Sequence, residues 1–240
     1  MRPKKSAIVV HSGGMDSSLC LAHAIKTYGK DRVLSISFRY GQRHSLELER
    51  AAEMCKTWGV DHTVLDIDCL SHITTNALTS HGMDIQHQEG QAPNTMVVGR
   101  NGLMARIAAI HAHDLGASRI YMGVIEVESA NSGYRDCSRA YMDKMQDILR
   151  MDFDNSDFEI ATPISHMTKY ETMEFGYGLG VLEYLLDKTI TCYEGIPHAG
   201  CKVCPACLLR NDGLRQFIER HPNFPSPFEP PGLASKSQET

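Results

Sequence analysis

The chain has 240 residues, enough for one large domain with a small appendage, and its 42% hydrophobic and 22% charged residues are those of an ordinary globular protein. No apolar run reaches membrane-spanning length and Met1-Arg2-Pro3-Lys4-Lys5 does not open a signal peptide, so no membrane association is expected and the cytoplasm is the expected setting. A formal charge of −5 argues against long-range attraction to nucleic acid.

In chain order, the first strand is expected at residues 6–11 and runs straight into Ser12-Gly13-Gly14-Met15-Asp16-Ser17, which opens a helix over Met15–Tyr28. A strand that turns sharply into a helix aims backbone N–H groups and the positive end of the helix dipole at whatever lies above it. Gly13 and Gly14 let an anion approach closely. No Walker loop is present, and the loop carries an acid: Asp16 beside a phosphate implies a bridging Mg²⁺. A helix-capping Ser/Gly turn is the plainer alternative. Strands then follow at 32–38, 62–66, 119–123 and 158–162, and helices at 45–58, 101–115, 138–151 and 168–178, with a closing helix from about 208 to 221. Gly29, Gly59 and Gly116 mark three helix ends. The alternation predicts an α/β fold built on a parallel sheet with flanking helices. Residues 67–98 make a connection of the length usually reserved for function. Gly176-Tyr177-Gly178-Leu179-Gly180 follows a helix rather than a strand, so it reads as a helix terminus and not a nucleotide loop. The expected organisation is an α/β domain over 1–165, a helical and cysteine-rich region over 166–221 and a Pro-rich flexible tail over 222–240.

Four of the eight cysteines are scattered, and the other four, Cys192, Cys201, Cys204 and Cys207, share one short segment. Their spacing suits a chain wrapped around a single ion. Tetrahedral Zn²⁺ is the natural occupant, and four thiolates leave it no open position, so the site would be structural. An iron–sulfur cluster competes, but Pro205 does not sit where ferredoxin-like segments place their proline, and ligand chemistry favours zinc. His198 within the loop reads as solvated.

The SGGxDS loop resembles that of the N-type ATP pyrophosphatases, the PP-loop superfamily. With the cysteine segment and further runs it resembles the QueC family of 7-cyano-7-deazaguanine synthases up to about residue 221. Those runs are Tyr40-Gly41-Gln42-Arg43-His44, Pro93-Asn94-Thr95, Gly99-Arg100-Asn101, Gly123-Val124, Ser132-Gly133-Tyr134, Asp136-Cys137, Thr162-Pro163, Lys169 with Glu171-Thr172, and Thr191-Cys192-Tyr193-Glu194-Gly195-Ile196. The resemblance implies adenylation of 7-carboxy-7-deazaguanine by ATP with Mg²⁺, displacement of AMP by ammonia, and a second adenylation that converts the amide to a nitrile. It also implies a homodimer. Ser12, Gly13, Gly14, Met15, Asp16 and Ser17 would hold the pyrophosphate, with Phe38 and Tyr40 flanking adenine. Arg100 would meet phosphate or carboxylate, and Lys169 would stabilise charge at the scissile phosphate. Gln42, Arg43, Asn101, Gly123, Glu126, Glu128, Tyr134 and Asp136 would face the substrate. Taken alone, Arg100 equally suits a surface ion pair, Lys169 a solvated helix face, and Phe38 and Tyr40 the core.

One run departs from the family pattern. Between Ile125 and Ser138 the aspartate–aromatic pair is missing, the spacer is longer, Arg135 stands in place of Pro and Ser138 in place of Arg, leaving Glu126 or Glu128 as the replacement acid. Two further readings therefore stand beside the nitrile synthase. One is a related enzyme that conjugates the activated acid to an amine on a protein terminus or nucleic acid. The other is an inactive, zinc-stabilised binding module.

Overall fold

The five strands expected from the hydrophobic pattern form and pair in parallel in a computed structural model that describes residues 4–41, 46–74, 97–126 and 134–232. They are β1 (Ala7–Val10), β2 (Val33–Arg39), β3 (Asp61–Asp66), β4 (Arg119–Met122) and β5 (Glu159–Ala161), in the order β3-β2-β1-β4-β5. Register follows from side-chain alternation. Ala7 and Val9 face one side with Val33 and Tyr121, while Ile8 faces the other with Leu34, Ile36, Ile120 and Ile160.

Helices α1 (Met15–Tyr28) and α2 (Leu46–Trp58) cover the first face through Cys20, Leu21, Ala24 and Cys55. The short α3 (Cys69–Ile73) follows β3, and the opposite face is covered by α4 (Arg100–Asp114) and α5 (Arg139–Phe153). Alanines 105, 108, 109 and 112 let α4 lie close against the sheet, with Met142 and Leu149 of α5 beside it. The chain thus changes face between the β2 and β4 sides of β1. That leaves a crevice outside the carboxyl ends of β1 and β4, the switch point where open α/β sheets take ligands.

Three more helices, α6 (Lys169–Gly178), α7 (Leu182–Lys188) and α8 (Pro205–Arg220), share a core with the outer side of α1 and α2. Met173, Leu185, Leu186, Leu214 and Phe217 pack there with Met15, Leu19 and Met54. Helix α6 ends at Gly178 and Gly180 takes φ +74°, so the glycine run is a helix terminus.

The sequence reading missed α3 and α7 because five- and seven-residue helices hold too few turns to establish a period. It also began the last helix late. Cys204 occupies the N-cap and Pro205 the first helical position, where proline's fixed φ and missing N–H carry no penalty. The segment 222–232 was expected to extend freely, but Phe224 lies edge-on to Phe217 at 5.2 Å and Phe228 stacks on His198 at 5.6 Å. Residues 233–240 lie outside the described ones. No described helix is long and apolar enough to cross a membrane.

Candidate active site

The loop after β1 is shaped by glycine at two levels. Gly13 takes φ +86°, and a Cβ there would run into the carbonyl of Glu47 on α2. Beneath the loop, Gly123 lets the end of β4 approach so closely that a Cβ would lie 2.7 Å from the backbone N and Cα of Ser17. Ser17 Oγ accepts from the backbone N–H of Ser12 at 3.1 Å and lies 3.0 Å from Ser12 Oγ, which closes the turn. Overpacking of this kind costs about 1–3 kcal/mol. Gly123→Ala is therefore expected to displace the loop and weaken binding of a phosphate-bearing ligand there roughly tenfold or more. Calorimetric titration with ATP checks this, and unchanged affinity would show that the loop does not depend on the contact.

Above the loop opens a cleft of about 360 Å³, lined by Ser12, Gly14, Met15, Asp16, Ser17, Phe38, Tyr40, Arg100, Asn101, Gly123 and Lys169 among others. Lys169, 153 positions after Asp16 in the chain, places Nζ 2.6 Å from both carboxylate oxygens of Asp16. Two features hold it there. Thr168 and Glu171 form a reciprocal capping box at the start of α6, and Gly213 of α8 brings its helix so near that a Cβ would lie 2.7 Å from that of Lys169.

Arg100 begins α4 after Gly99, whose φ of +71° turns the chain into the helix. Its guanidinium lies 5.3 Å from the centre of the Tyr40 ring and donates to the Tyr40 hydroxyl at 3.2 Å. Burial opposes its charge, but Tyr40, Tyr134, Asp136 and Cys137 outweigh that and hold its pKa above the ordinary value. Asp136, buried beside it, accepts the Asn101 backbone N–H at 2.9 Å at the exposed end of the helix dipole. Asn101 Nδ2 in turn reaches Cys137 Sγ at 3.2 Å. Burial first, then Asp136, pushes the Cys137 thiol up to about 12, so it stays protonated and is no nucleophile at neutral pH.

Not every expected residue comes to the cleft. Glu126 caps a helix instead: its carboxylate accepts the Arg139 backbone N–H at 2.5 Å at the start of α5 and pairs with His166 at 3.1 Å. Asp136 and Tyr134 sit behind Arg100 and not on the lining, and Gly13 serves the turn. Gln42, Arg43 and Glu128 lie outside the described residues. The lining also includes residues the sequence reading left without a role, notably Met104, Met122, Thr191 and Tyr193. Thr191 Oγ1 is buried without a hydrogen-bond partner, an orphan that a ligand would satisfy. The signal for it was its position next to Cys192, whose fold-back brings the segment over the cleft.

The four cysteines converge: their sulfurs all lie within 4.8 Å of one another. Backbone N–H groups of Cys204 and Cys201 point at Cys201 Sγ (3.2 Å) and Cys192 Sγ (3.4 Å). A Cβ on Gly200, which takes φ +66°, would strike Cys207 Sγ. Four thiols this close resist ionising together unless a cation shares them. Burial raises the pKa values of Cys204 and Cys207, while for Cys201 burial is outweighed by backbone N–H donors from Cys204 and Val203. Arg210 is buried with its charge directed at all four cysteines, the counter-charge a tetrathiolate site needs. The donor set therefore fits a structural metal ion. His198, outside this set, lies 3.4 Å from Asp187 and stacks on Phe228.

A parallel sheet with a Ser-Gly-Gly-x-Asp-Ser loop at its switch point defines a nucleotide-handling α/β protein of the PP-loop class. The model of the family described as Queuosine biosynthesis protein QueC matches residues 6–218, and the chain belongs to that family. Membership makes the chain an ATP-using enzyme of deazaguanine chemistry in general. Among solved structures, an NMN synthetase from Francisella tularensis is similar at 14% identity over 92% of this chain and 85% of its own, with a TM-score of 0.49. An NH3-dependent NAD synthetase from Campylobacter jejuni, in complex with nitrate, matches at 17% identity over 76% and 67%, with a TM-score of 0.44. The U34-tRNA thiolase NcsA from Methanococcus maripaludis, with its [4Fe-4S] cluster, matches at 14% over 92% and 68%, also with a TM-score of 0.44.

Proposed function

We propose that the protein converts 7-carboxy-7-deazaguanine and ammonia to 7-cyano-7-deazaguanine at the expense of ATP. The observation that carries this reading is the convergence of Asp16, Lys169 and Arg100 on one cleft in a chain of this family. A carboxylate resists ammonia because its oxygen is a poor leaving group. Attack of a carboxylate oxygen on the α-phosphorus of ATP expels pyrophosphate and turns that oxygen into the leaving group AMP. Ammonia adds to the acyl carbon and AMP departs, giving the amide. The amide oxygen then repeats the attack on a second ATP, and loss of AMP with a proton leaves the nitrile.

In this scheme the N–H groups around Gly14 receive the departing pyrophosphate. Lys169 holds positive charge where the α-phosphate gains negative charge, and Arg100, on the same cleft lining, fixes the acid or phosphate. Phe38 and Tyr40 supply flat surfaces for a base. Asp16, which shares the cleft lining with Glu47, is placed to hold Mg²⁺, which when bound would neutralise phosphate charge. Zn²⁺ at the four cysteines would be structural. A homodimer and a cytoplasmic setting belong to the same proposal.

Purified protein with ATP, Mg²⁺, 7-carboxy-7-deazaguanine and ammonia is expected to yield AMP, pyrophosphate and the nitrile by mass spectrometry. The altered run around Arg135, with Glu126 engaged at a helix start, favours a second reading in which a protein terminus or nucleic acid replaces ammonia. Amide that accumulates, or AMP released only with such an acceptor, would favour that reading. Absence of ATP cleavage throughout would overturn both.

A further inference from the structure

Behind the phosphate loop lies a second group of metal-ligating side chains. His11, just past β1, Cys55 on α2 and His62 on β3 each bring one ligand atom to within 4.8 Å of the others. His11 and Cys55 are fully buried in the space between the sheet and the helices.

Hydrogen bonding fixes the tautomer of His11. Ser18 Oγ donates to the Gly14 carbonyl at 2.8 Å, so toward His11 Nε2, 2.9 Å away, it accepts. Nε2 therefore carries the proton and Nδ1 presents a lone pair, which faces Ser35 Oγ at 3.1 Å and Cys55 Sγ at 3.7 Å. Ser35 Oγ also meets His62 Nδ1 at 3.0 Å. One hydroxyl proton cannot serve two imidazoles. If Ser35 donates to His11, His62 Nδ1 must donate to Ser35, and His62 Nε2 is left as a second lone pair. That atom is buried and has no hydrogen-bond partner. Whichever imidazole Ser35 serves, His62 Nε2 is left inside the protein without a partner, an arrangement native structures rarely keep.

The Ser18 contact leaves His11 Nδ1 unprotonated, the form in which an imidazole binds metals. Two neutral imidazoles and one thiol from three separate elements are the donor set of tetrahedral Zn²⁺ sites.

We propose that His11, Cys55 and His62 form a second metal site for a zinc-class ion, separate from the four-cysteine set. On binding, the Cys55 S–H bond breaks, a sulfur–metal bond forms and the proton leaves to solvent, with no change of oxidation state. The ion and its one thiolate retain a single positive charge. That charge lies next in the chain to Ser12, behind a loop built to receive phosphate, and the ion would pin β1, α2 and β3 together there.

Zinc content of the full-length protein after zinc loading and desalting tests this by elemental analysis. The expected result is one equivalent of zinc fewer in Cys55→Ala and in His62→Gln than in the wild type. Zinc content equal in wild type and Cys55→Ala would overturn the proposal. Because a core variant can fail to fold, zinc-edge X-ray absorption of the wild type gives an independent answer: imidazole nitrogen among the zinc neighbours is expected, and an all-sulfur shell would overturn the site.

Discussion

Asp16→Asn is expected to lower ATP cleavage by about 10²–10³-fold or more while the protein stays folded, the scale seen when one charge-stabilising group is removed from a transition state. The substitution keeps size but replaces one of the two oxygens that accept from Lys169 at 2.6 Å by an amide donor, and it removes the charge that would hold Mg²⁺. The carboxylate is partly exposed in the cleft, so the stability cost is about 1 kcal/mol. This reads as a fall of roughly 2–4 °C in Tm. Lys169→Met separates the two roles, since it leaves the carboxylate free for a cation and removes only the ammonium. Its kcat is expected to fall with ATP affinity largely kept, by quench-flow and equilibrium binding. Turnover retained in Asp16→Asn would place the catalytic charge elsewhere.

If the four cysteines hold the structural Zn²⁺ proposed for them, stripping it is expected to be the most destabilising single change. Structural zinc contributes apparent binding free energies of about 10–16 kcal/mol in small zinc-binding peptides, and that binding is inseparable from folding. Here Cys204 caps α8, Cys207 lies in its first turns, and α8 packs on α6, which carries Lys169. Chelation, or Cys204→Ser, is therefore expected to melt the 192–207 segment, release α8 and abolish activity. Thr191, Tyr193, Ala206 and Leu209 would lose their places on the cleft wall at the same time. Circular dichroism melts with and without chelator, alongside elemental analysis, check this. An unchanged Tm after verified metal loss would overturn the structural role, and iron with visible absorbance would overturn zinc.

The sheet was legible because its signals are local. The runs Ala7–Val10 and Val33–Arg39 are short, apolar and bounded by turn residues, and a parallel sheet buried on both faces demands such runs. The phosphate loop was legible for the same reason, since six consecutive residues contain the turn, the acid and the helix start. The cysteine segment was legible because four ligand-type residues within sixteen positions have few other uses.

What needed the tertiary structure is whatever depends on residues far apart in sequence. Lys169 looked equally like a solvated helix face until α6 and α8 carried it across 153 positions to Asp16. Glu126 looked like a replacement acid until the start of α5 claimed its carboxylate. Phe228 looked like part of a loose tail until Arg210 and His198 gave it a surface. His11, Cys55 and His62 carried no motif at all, since their spacing in the chain follows no ligand pattern and only the packing of α2 against adjacent strands of the sheet brings them together. By itself the sequence determined the strands, the glycine-rich loop after β1 and the cluster of four cysteines, because each is encoded by neighbouring residues. Which charged groups meet in the cleft, and which are spent on holding helices, was decided only by long-range packing that no local pattern records.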